Sequence, residues 1–238
     1  MNFFKGDTKR IVIKRILPSF IYDEFSKKAS IKRYLNSGKG EIHTADGFHY
    51  YKCIFVHIPK AAGLSICQSI FNNYGAGHYS LSDYQNIFSK RIFKAYFKFT
   101  IVRNPYSRFE SAYYYLKNGG FDTRDRIWAE ENLMPYADIN EFVQHWLNSK
   151  TMFEMVHFKP QTYFLKDQSG EINLDFIGRL ENIQEDYDFI KKKLGVTSIL
   201  KKINTAKAKN DKIRLDIKSK EKIYQLYKHD FELLNYGK

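Results

Sequence analysis

Lys60, Gly63 and Ser65 follow a short apolar run, 54–58, in the stretch Ile-Phe-Val-His-Ile-Pro-Lys-Ala-Ala-Gly-Leu-Ser. A cation, a glycine and a hydroxyl at that spacing can hold an anion. Ile66, Ile70 and Phe71 then recur at helical spacing, so the segment predicts strand, tight turn and helix. The first N–H groups of a helix have no partner within it and carry partial positive charge. Small residues let a phosphate approach those groups, and the lysine adds a full charge. The predicted ligand is phosphorylated. The plain alternative is a surface lysine before an ordinary glycine turn. The nucleotide-triphosphate P-loop shares the physics but not the spacing, because its lysine comes after the glycines and Lys60 precedes Gly63.

A second segment, 97–116, repeats the layout. Residues 99–102 form a β-prone apolar run, Asn104 is a good N-cap and Pro105 suits the first helical position. Phe109, Ala112, Tyr113 and Leu116 recur at helical spacing and are expected to face the core. Asn104, Arg108 (or Ser107), Ser111 and Tyr115 form the neighbouring stripe. Arg103 stands at the end of the strand, where its guanidinium and the Ser111 hydroxyl can converge on one anion.

Taken together, the segments resemble the sulfotransferases that use 3′-phosphoadenosine 5′-phosphosulfate (PAPS), and more closely the carbohydrate 2-O-sulfotransferase-like branch with its bacterial relatives. His57-Ile58-Pro59-Lys60-Ala61-Ala62-Gly63-Leu64-Ser65 is similar to the family's His-Ile-Pro-Lys-Thr-Ala-Gly-Thr-Ser turn. The resemblance implies that Lys60, Ala62, Gly63, Leu64 and Ser65 hold the 5′-phosphosulfate. Val102-Arg103-Asn104-Pro105 with Ser111 is similar to the 3′-phosphate site. Further similarities are Gly77-His78-Tyr79-Ser80-Leu81, His157-Phe158-Lys159-Pro160-Gln161, Phe176-Ile177-Gly178-Arg179-Leu180-Glu181 and Tyr227-Lys228-His229-Asp230-Phe231. Ala61 and Leu64 depart from the pattern and remove two hydroxyl donors.

The resemblance implies sulfuryl transfer from PAPS, with 3′-phosphoadenosine 5′-phosphate (PAP) as product. In such a transfer, positioning and charge stabilisation dominate. Lys60 and the 62–65 amides are aimed at the leaving oxygen. The acceptor hydroxyl must lose a proton, which a histidine near its reference pKa of about 6.5 suits. His78 is the expected base and His157 the understudy; Gln161 orients substrate or backbone. The plain alternative for His78 is a structural histidine at the following helix. Lys207 and Lys209 are the candidates for closing over the 3′-phosphate and adenosine.

Composition sets outer limits. The chain has 238 residues, 39 basic and 26 acidic, a formal charge of +13 and 17% aromatic residues. A basic surface concentrates anionic partners, which PAPS and acidic glycans both are. The expected acceptor is a glycan or glycolipid, with no specific nucleic acid. Residues 191–222 carry twelve Lys/Arg against three Asp/Glu, ordinarily a solvated face. Cys53 and Cys67 show no Cys-x-x-Cys spacing and are expected to be buried thiols. No His/Cys pattern predicts a metal site. No secretory signal and no run of about 18 apolar residues is read, so the expectation is a cytoplasmic enzyme of bacterial type or a trimmed catalytic domain. The first 35 residues are basic and amphipathic, able to pack on the domain or to rest peripherally on an anionic inner membrane face.

The predicted fold is α/β, a three-layer P-loop-like arrangement with a central parallel sheet flanked by helices. Residues 1–49 form a basic N-terminal arm and 50–238 a single domain. Within it, 119–160 is a helical insertion walling the acceptor cleft, with Trp146 expected in ordinary helix packing. A strand is expected over 172–178, and a helix through Ile183, Tyr187, Ile190 and Leu194 ended by Gly195. Two other readings share these features: a P-loop-like kinase, and a basic nucleic-acid-binding protein whose affinity would collapse with salt.

Overall fold

Cys53–Val56 (β1) is apolar at every position and buried at every position, as a strand covered on both faces must be. Phe97–Val102 (β2) is buried beyond its first residue despite Lys98 and Thr100. Those two polar side chains are satisfied locally. The Thr100 hydroxyl donates to the Val56 carbonyl at 2.7 Å, and the Lys98 ammonium reaches the Tyr96 carbonyl at 3.0 Å and Asp175 at 3.1 Å. With Phe176–Arg179 (β3) they form a parallel sheet in the order β1-β2-β3, pairing Phe55 with Phe99 and Phe99 with Phe176. The parallel sheet flanked by helices is thus as expected. The third strand starts later than residue 172, because Ile172 is held in an antiparallel bridge to Lys166.

This computed structural model describes residues 44–73, 75, 77–203 and 213–238. Most of the expected N-terminal arm, together with Lys207 and Lys209, lies outside the described residues. The boundary drawn at residue 50 falls inside a helix, Thr44–Tyr51 (α1), whose Phe48 is fully buried. That helix belongs to the folded body.

After β1 the chain forms Gly63–Ile66 (α2), which runs on as a π-helical turn over Cys67–Phe71. Leu81–Ile87 (α3) opens on a reciprocal cap between Ser80 and Asp83. Lys90–Ala95 (α4) precedes β2. Pro105–Lys117 (α5) follows it, capped by Asn104 with proline in the first turn, as the sequence predicts. Phe109, Ala112, Tyr113 and Leu116 are all buried. Thr123–Asn132 (α6), Ile139–His145 (α7) and Gln161–Leu165 (α8) come before β3. Ile183–Leu194 (α9) ends at left-handed Gly195, and Ile217–Leu226 (α10) and Lys228–Leu233 (α11) close the chain.

Apolar burial falls into two clusters. One surrounds the sheet and includes Phe55, Ile66, Phe99, Ile101 and Tyr187, with Cys53 and Cys67 as buried free thiols. The other joins α5 to the 119–160 region and the C-terminal helices through Phe109, Phe142, Trp146, Phe158, Tyr227 and Phe231. Trp146 stacks on Phe142 with ring centroids 4.7 Å apart, so it is a packing residue. Residues 119–160 therefore supply more than half of the buried residues of this second cluster. Among the described residues, no helix is long and apolar enough to cross a membrane.

Candidate active site

The first turn leaves β1 under backbone strain. Lys60 and Ala62 both adopt left-handed φ, 68° and 59°, costing about 1 kcal/mol or more each for residues with a Cβ. At the start of α2 the amides of Gly63, Leu64 and Ser65 precede the first helical bond, Ile66 N–H to Ala62 C=O at 3.1 Å. Gly63 is required by a neighbouring ring: a Cβ there would lie 1.8 Å from His57 Cδ2. The glycine that the sequence suggests as room for a phosphate is thus room for an imidazole. Ala61 is buried, so a threonine hydroxyl at that position would face the core. Ser65 Oγ is nearly buried and accepts the Ile203 N–H at 3.2 Å, leaving its own hydrogen to donate.

The second turn places Arg103 against the first. Its Nε donates to Ser107 Oγ at 2.9 Å and its Nη1 to the Lys60 carbonyl at 3.3 Å. Nη2 has no partner among the described residues. Ser111 lies one helical turn beyond Ser107, half-buried and without a bond to Arg103. Of the two residues expected in the polar stripe, Ser107 fills it. Arg108 turns inward instead, donating to the carbonyls of His157 at 3.1 Å and Lys159 at 2.6 Å. Gln161 is fully buried and bonds the Arg103 peptide through both ends of its amide. Of the two roles expected for it, these bonds supply the orienting of backbone. Asp230 in turn holds Gln161, accepting its N–H at 2.7 Å and that of Thr162 at 2.9 Å.

Between the turns three histidines cluster. The centroid of the His78 ring lies 4.4 Å from that of His57 and 5.9 Å from that of His157. His78 Nδ1 is 2.9 Å from the His57 carbonyl. A carbonyl only accepts, so Nδ1 carries the hydrogen and Nε2 keeps its lone pair. His57 Nδ1 and His157 Nδ1 are buried without partners among the described residues. Lys60 Nζ lies 3.8 Å above the Tyr115 ring, and the Tyr115 hydroxyl donates to Asp125 Oδ2 at 3.0 Å.

Burial governs the charges here. It lowers His57 well below the ordinary histidine value and takes His78 down to about 4, with His157 and Lys60 adding repulsion. His157 is lowered by burial too, against the pull of Asp125. The expected base near 6.5 is therefore corrected: desolvation keeps His78 neutral well into acid. Lys60 falls to about 8, through burial and then Arg103, with Asp125 opposing. It remains mostly cationic at neutral pH. Burial alone would raise Asp125, but His157, the Phe121 N–H and the Tyr115 hydroxyl bring it down to about 2.

The structure thus brings together Lys60, the 62–65 amides, Arg103, His78 and His157. Sequence reasoning missed His57, Tyr115 and Asp125 as members of the cluster. Tyr115 could have been found from its place on the Ser111 stripe; Asp125 gave no signal beyond an acid in a helix first turn. Lys60 rests on a ring rather than a carboxylate, and Arg103 keeps Nη2 in reserve. Cationic donors left over at two places suit a ligand phosphorylated at two places, as PAPS is. No group of His, Cys, Asp and Glu among the described residues could hold a metal ion. A separate cavity of about 460 Å³, lined by Tyr50, Tyr51, Ser69, Ile70 and 194–198, shares no residue with this cluster.

Comparison with known proteins gives a concordant picture. The family model described as Sulfotransferase family matches residues 45–237. Carbohydrate sulfotransferase 11 of Rattus norvegicus is 26% identical over 168 residues, covering 60% of this chain and 48% of the relative; its Mus musculus counterpart matches to the same extent. An uncharacterized protein of Archaeoglobus fulgidus is 30% identical over 123 residues, 51% of this chain and 88% of the relative. The chain spans about half the length of the two rodent proteins. No solved structure matches it.

Proposed function

We propose that this chain, which belongs to the sulfotransferase family, transfers a sulfuryl group from PAPS to a carbohydrate hydroxyl. The observation that carries the reading is the bond from Arg103 Nη1 to the Lys60 carbonyl at 3.3 Å. It joins the turns after two adjacent parallel strands, each carrying one cation, which supports a donor with separate 5′ and 3′ anionic groups. The matched rodent proteins, carbohydrate sulfotransferases by name, support a glycan or glycolipid acceptor.

PAPS, when bound, supplies an electrophilic sulfur that bonds to the acceptor oxygen as its bond to the phosphate oxygen breaks, leaving PAP. The chain's own residues do the rest. The Lys60 ammonium and the amides of Ala62, Gly63, Leu64 and Ser65 oppose negative charge at the first turn. Arg103 and Ser111 orient the ligand's far phosphate. His78 Nε2, bare because Nδ1 is committed to the His57 carbonyl, takes the proton of the acceptor hydroxyl.

The test is calorimetry on the full chain with PAP, AMP, ATP and duplex DNA at two salt concentrations. PAP is expected to bind much more tightly than AMP or ATP, and Arg103→Ala to lose at least about 1.5 kcal/mol of that affinity, as a charge-assisted bond would. Equal affinity for PAP and AMP would reject the 3′-phosphate site. Tighter binding of ATP would favour the kinase reading, and a steep salt-dependent loss of DNA binding the nucleic-acid one.

A further inference from the structure

We propose that Asp125 is the positioning residue of this site: one carboxylate oxygen, Oδ2, fixes which nitrogen of His157 carries the proton and holds Tyr115 beneath the Lys60 ammonium. Only the catalytic consequence of this arrangement rests on the sulfotransfer reading.

Oδ2 accepts the Phe121 N–H at 2.9 Å and the Tyr115 O–H at 3.0 Å, and His157 Nε2 lies 3.8 Å away. An ionised carboxylate only accepts, and at 3.8 Å, beyond hydrogen-bond reach, its charge favours a hydrogen on the nearer imidazole nitrogen. For His157 that atom is Nε2, which leaves Nδ1 bare, buried and unpartnered. His78 has the opposite arrangement, with hydrogen on Nδ1. The two neighbouring rings therefore differ in tautomer, each set by a single acceptor. The Tyr115 ring spans the gap to Lys60, so the same oxygen supports a histidine on one side and the lysine on the other.

The chain is shaped to deliver this carboxylate. Gly120 has a φ of 64°, and a Cβ there would lie 2.2 Å from Asp125 Cβ, so the loop before α6 closes directly onto Asp125. The helix does not need Asp125 as its cap, because Asp122 accepts the N–H groups of Arg124 and Asp125. Besides the Phe121 N–H that it accepts, Asp125 is half-buried against a histidine and a tyrosine and acts on those two. Because α6 lies in the segment expected to wall the acceptor cleft, the acceptor side is tied to the lysine at the donor turn.

Imidazole ¹⁵N and lysine ¹³C NMR on the full chain, without donor or acceptor, tests this. The charged and titratable groups around His157 are Asp125, Lys60, Arg108, His57, His78 and Tyr115; those around Lys60 are Arg103, Asp125, Tyr115 and the three histidines. Wild-type His157 should show the Nε2–H tautomer. Asp125→Asn removes the charge, so the midpoints of His157 and Lys60 should both fall, His157 by about one pH unit. Tyr115→Phe keeps the ring but takes a donor from Oδ2, leaving its charge less compensated, so the His157 midpoint should rise. Opposite shifts distinguish positioning from general loosening of the fold. An Nδ1–H tautomer in wild type, midpoints that do not move, or shifts of the same sign would overturn the proposal. If Asp125→Asn does not fold, the wild-type tautomer and Tyr115→Phe still decide it. These readouts stand apart from turnover, so a chain that transfers no sulfuryl group but shows them would reject the function and keep the arrangement.

Discussion

The side-chain amide of Gln161 clasps the peptide of Arg103 from both sides: Oε1 accepts its N–H at 2.9 Å and Nε2 donates to its carbonyl at 2.7 Å. Arg103 stands where β2 ends, so no sheet partner fixes this peptide, and the buried amide fixes it instead. Gln161→Ala should strand both backbone groups and destabilise the fold by about 2 kcal/mol, the cost of unpaired buried polar atoms. PAP affinity should fall with it, since the guanidinium loses its anchored backbone. Urea denaturation with calorimetry on the folded variant measures both; unchanged affinity would mean that Arg103 is held by other contacts.

Lys60→Ala should lower kcat strongly while weakening PAPS binding less, if the ammonium opposes charge that grows in the transition state. Since Lys60 titrates at about 8, kcat/KM should also decline as pH rises through that value. A variant with wild-type kcat would reduce Lys60 to a surface charge.

His78→Ala should abolish most transfer while PAP still binds and unfolding stays cooperative. The acid limb of kcat/KM should lie near 4, well below an ordinary histidine. His157 is the next residue to mutate if the variant is fully active.

The same burial has a thermodynamic counterpart. His57, His78 and His157 are all held below the unfolded value of about 6.5. Between that value and their folded midpoints the unfolded chain binds more protons, so stability should fall as pH drops from about 6.5 toward 4. Replacing His57 with Gln should flatten this slope in denaturation series across that range. An unaltered slope would place the acid sensitivity elsewhere.

Gly63→Ala should be destabilising by about 2 kcal/mol, because the new methyl must displace the His57 ring from a packed site. In a His57→Ala background the same change should cost much less, and a double-mutant cycle measures the difference. Additive costs would show that the ring can move freely.

The two strand–turn–helix segments were legible because their signals are local. Asn104 as cap, Pro105 in the first turn, the buried 109–112–113–116 face and Gly195 at the end of α9 all follow from short-range rules, and each lies where the sequence puts it. The residues that were missed are linked over distance. Asp125 reads as an acid in a first turn, and only the fold of 117–122 carries it back to Tyr115. The neutral state of His78 depends on packing of His57 and His157, 21 and 79 residues away in sequence, which no spacing rule encodes. Gln161 sits in a motif that fits either role, and its bonds to the Arg103 backbone, 58 residues away, are not encoded by spacing.

The sheet register also sets a timetable for assembly. Val56 meets Thr100 across 44 residues, and Lys98 meets Asp175 across 77. Pairings that distant close large loops before they are rewarded, which slows folding. During synthesis from the N-terminus, the lysine turn must wait for β2, and the arginine turn's outer neighbour for β3. The two cations acquire their mutual spacing when β2 pairs with β1. A nucleotide that bridges them would therefore bind only the paired strands, and should act as a folding ligand, slowing unfolding and raising the melting temperature with the logarithm of its concentration.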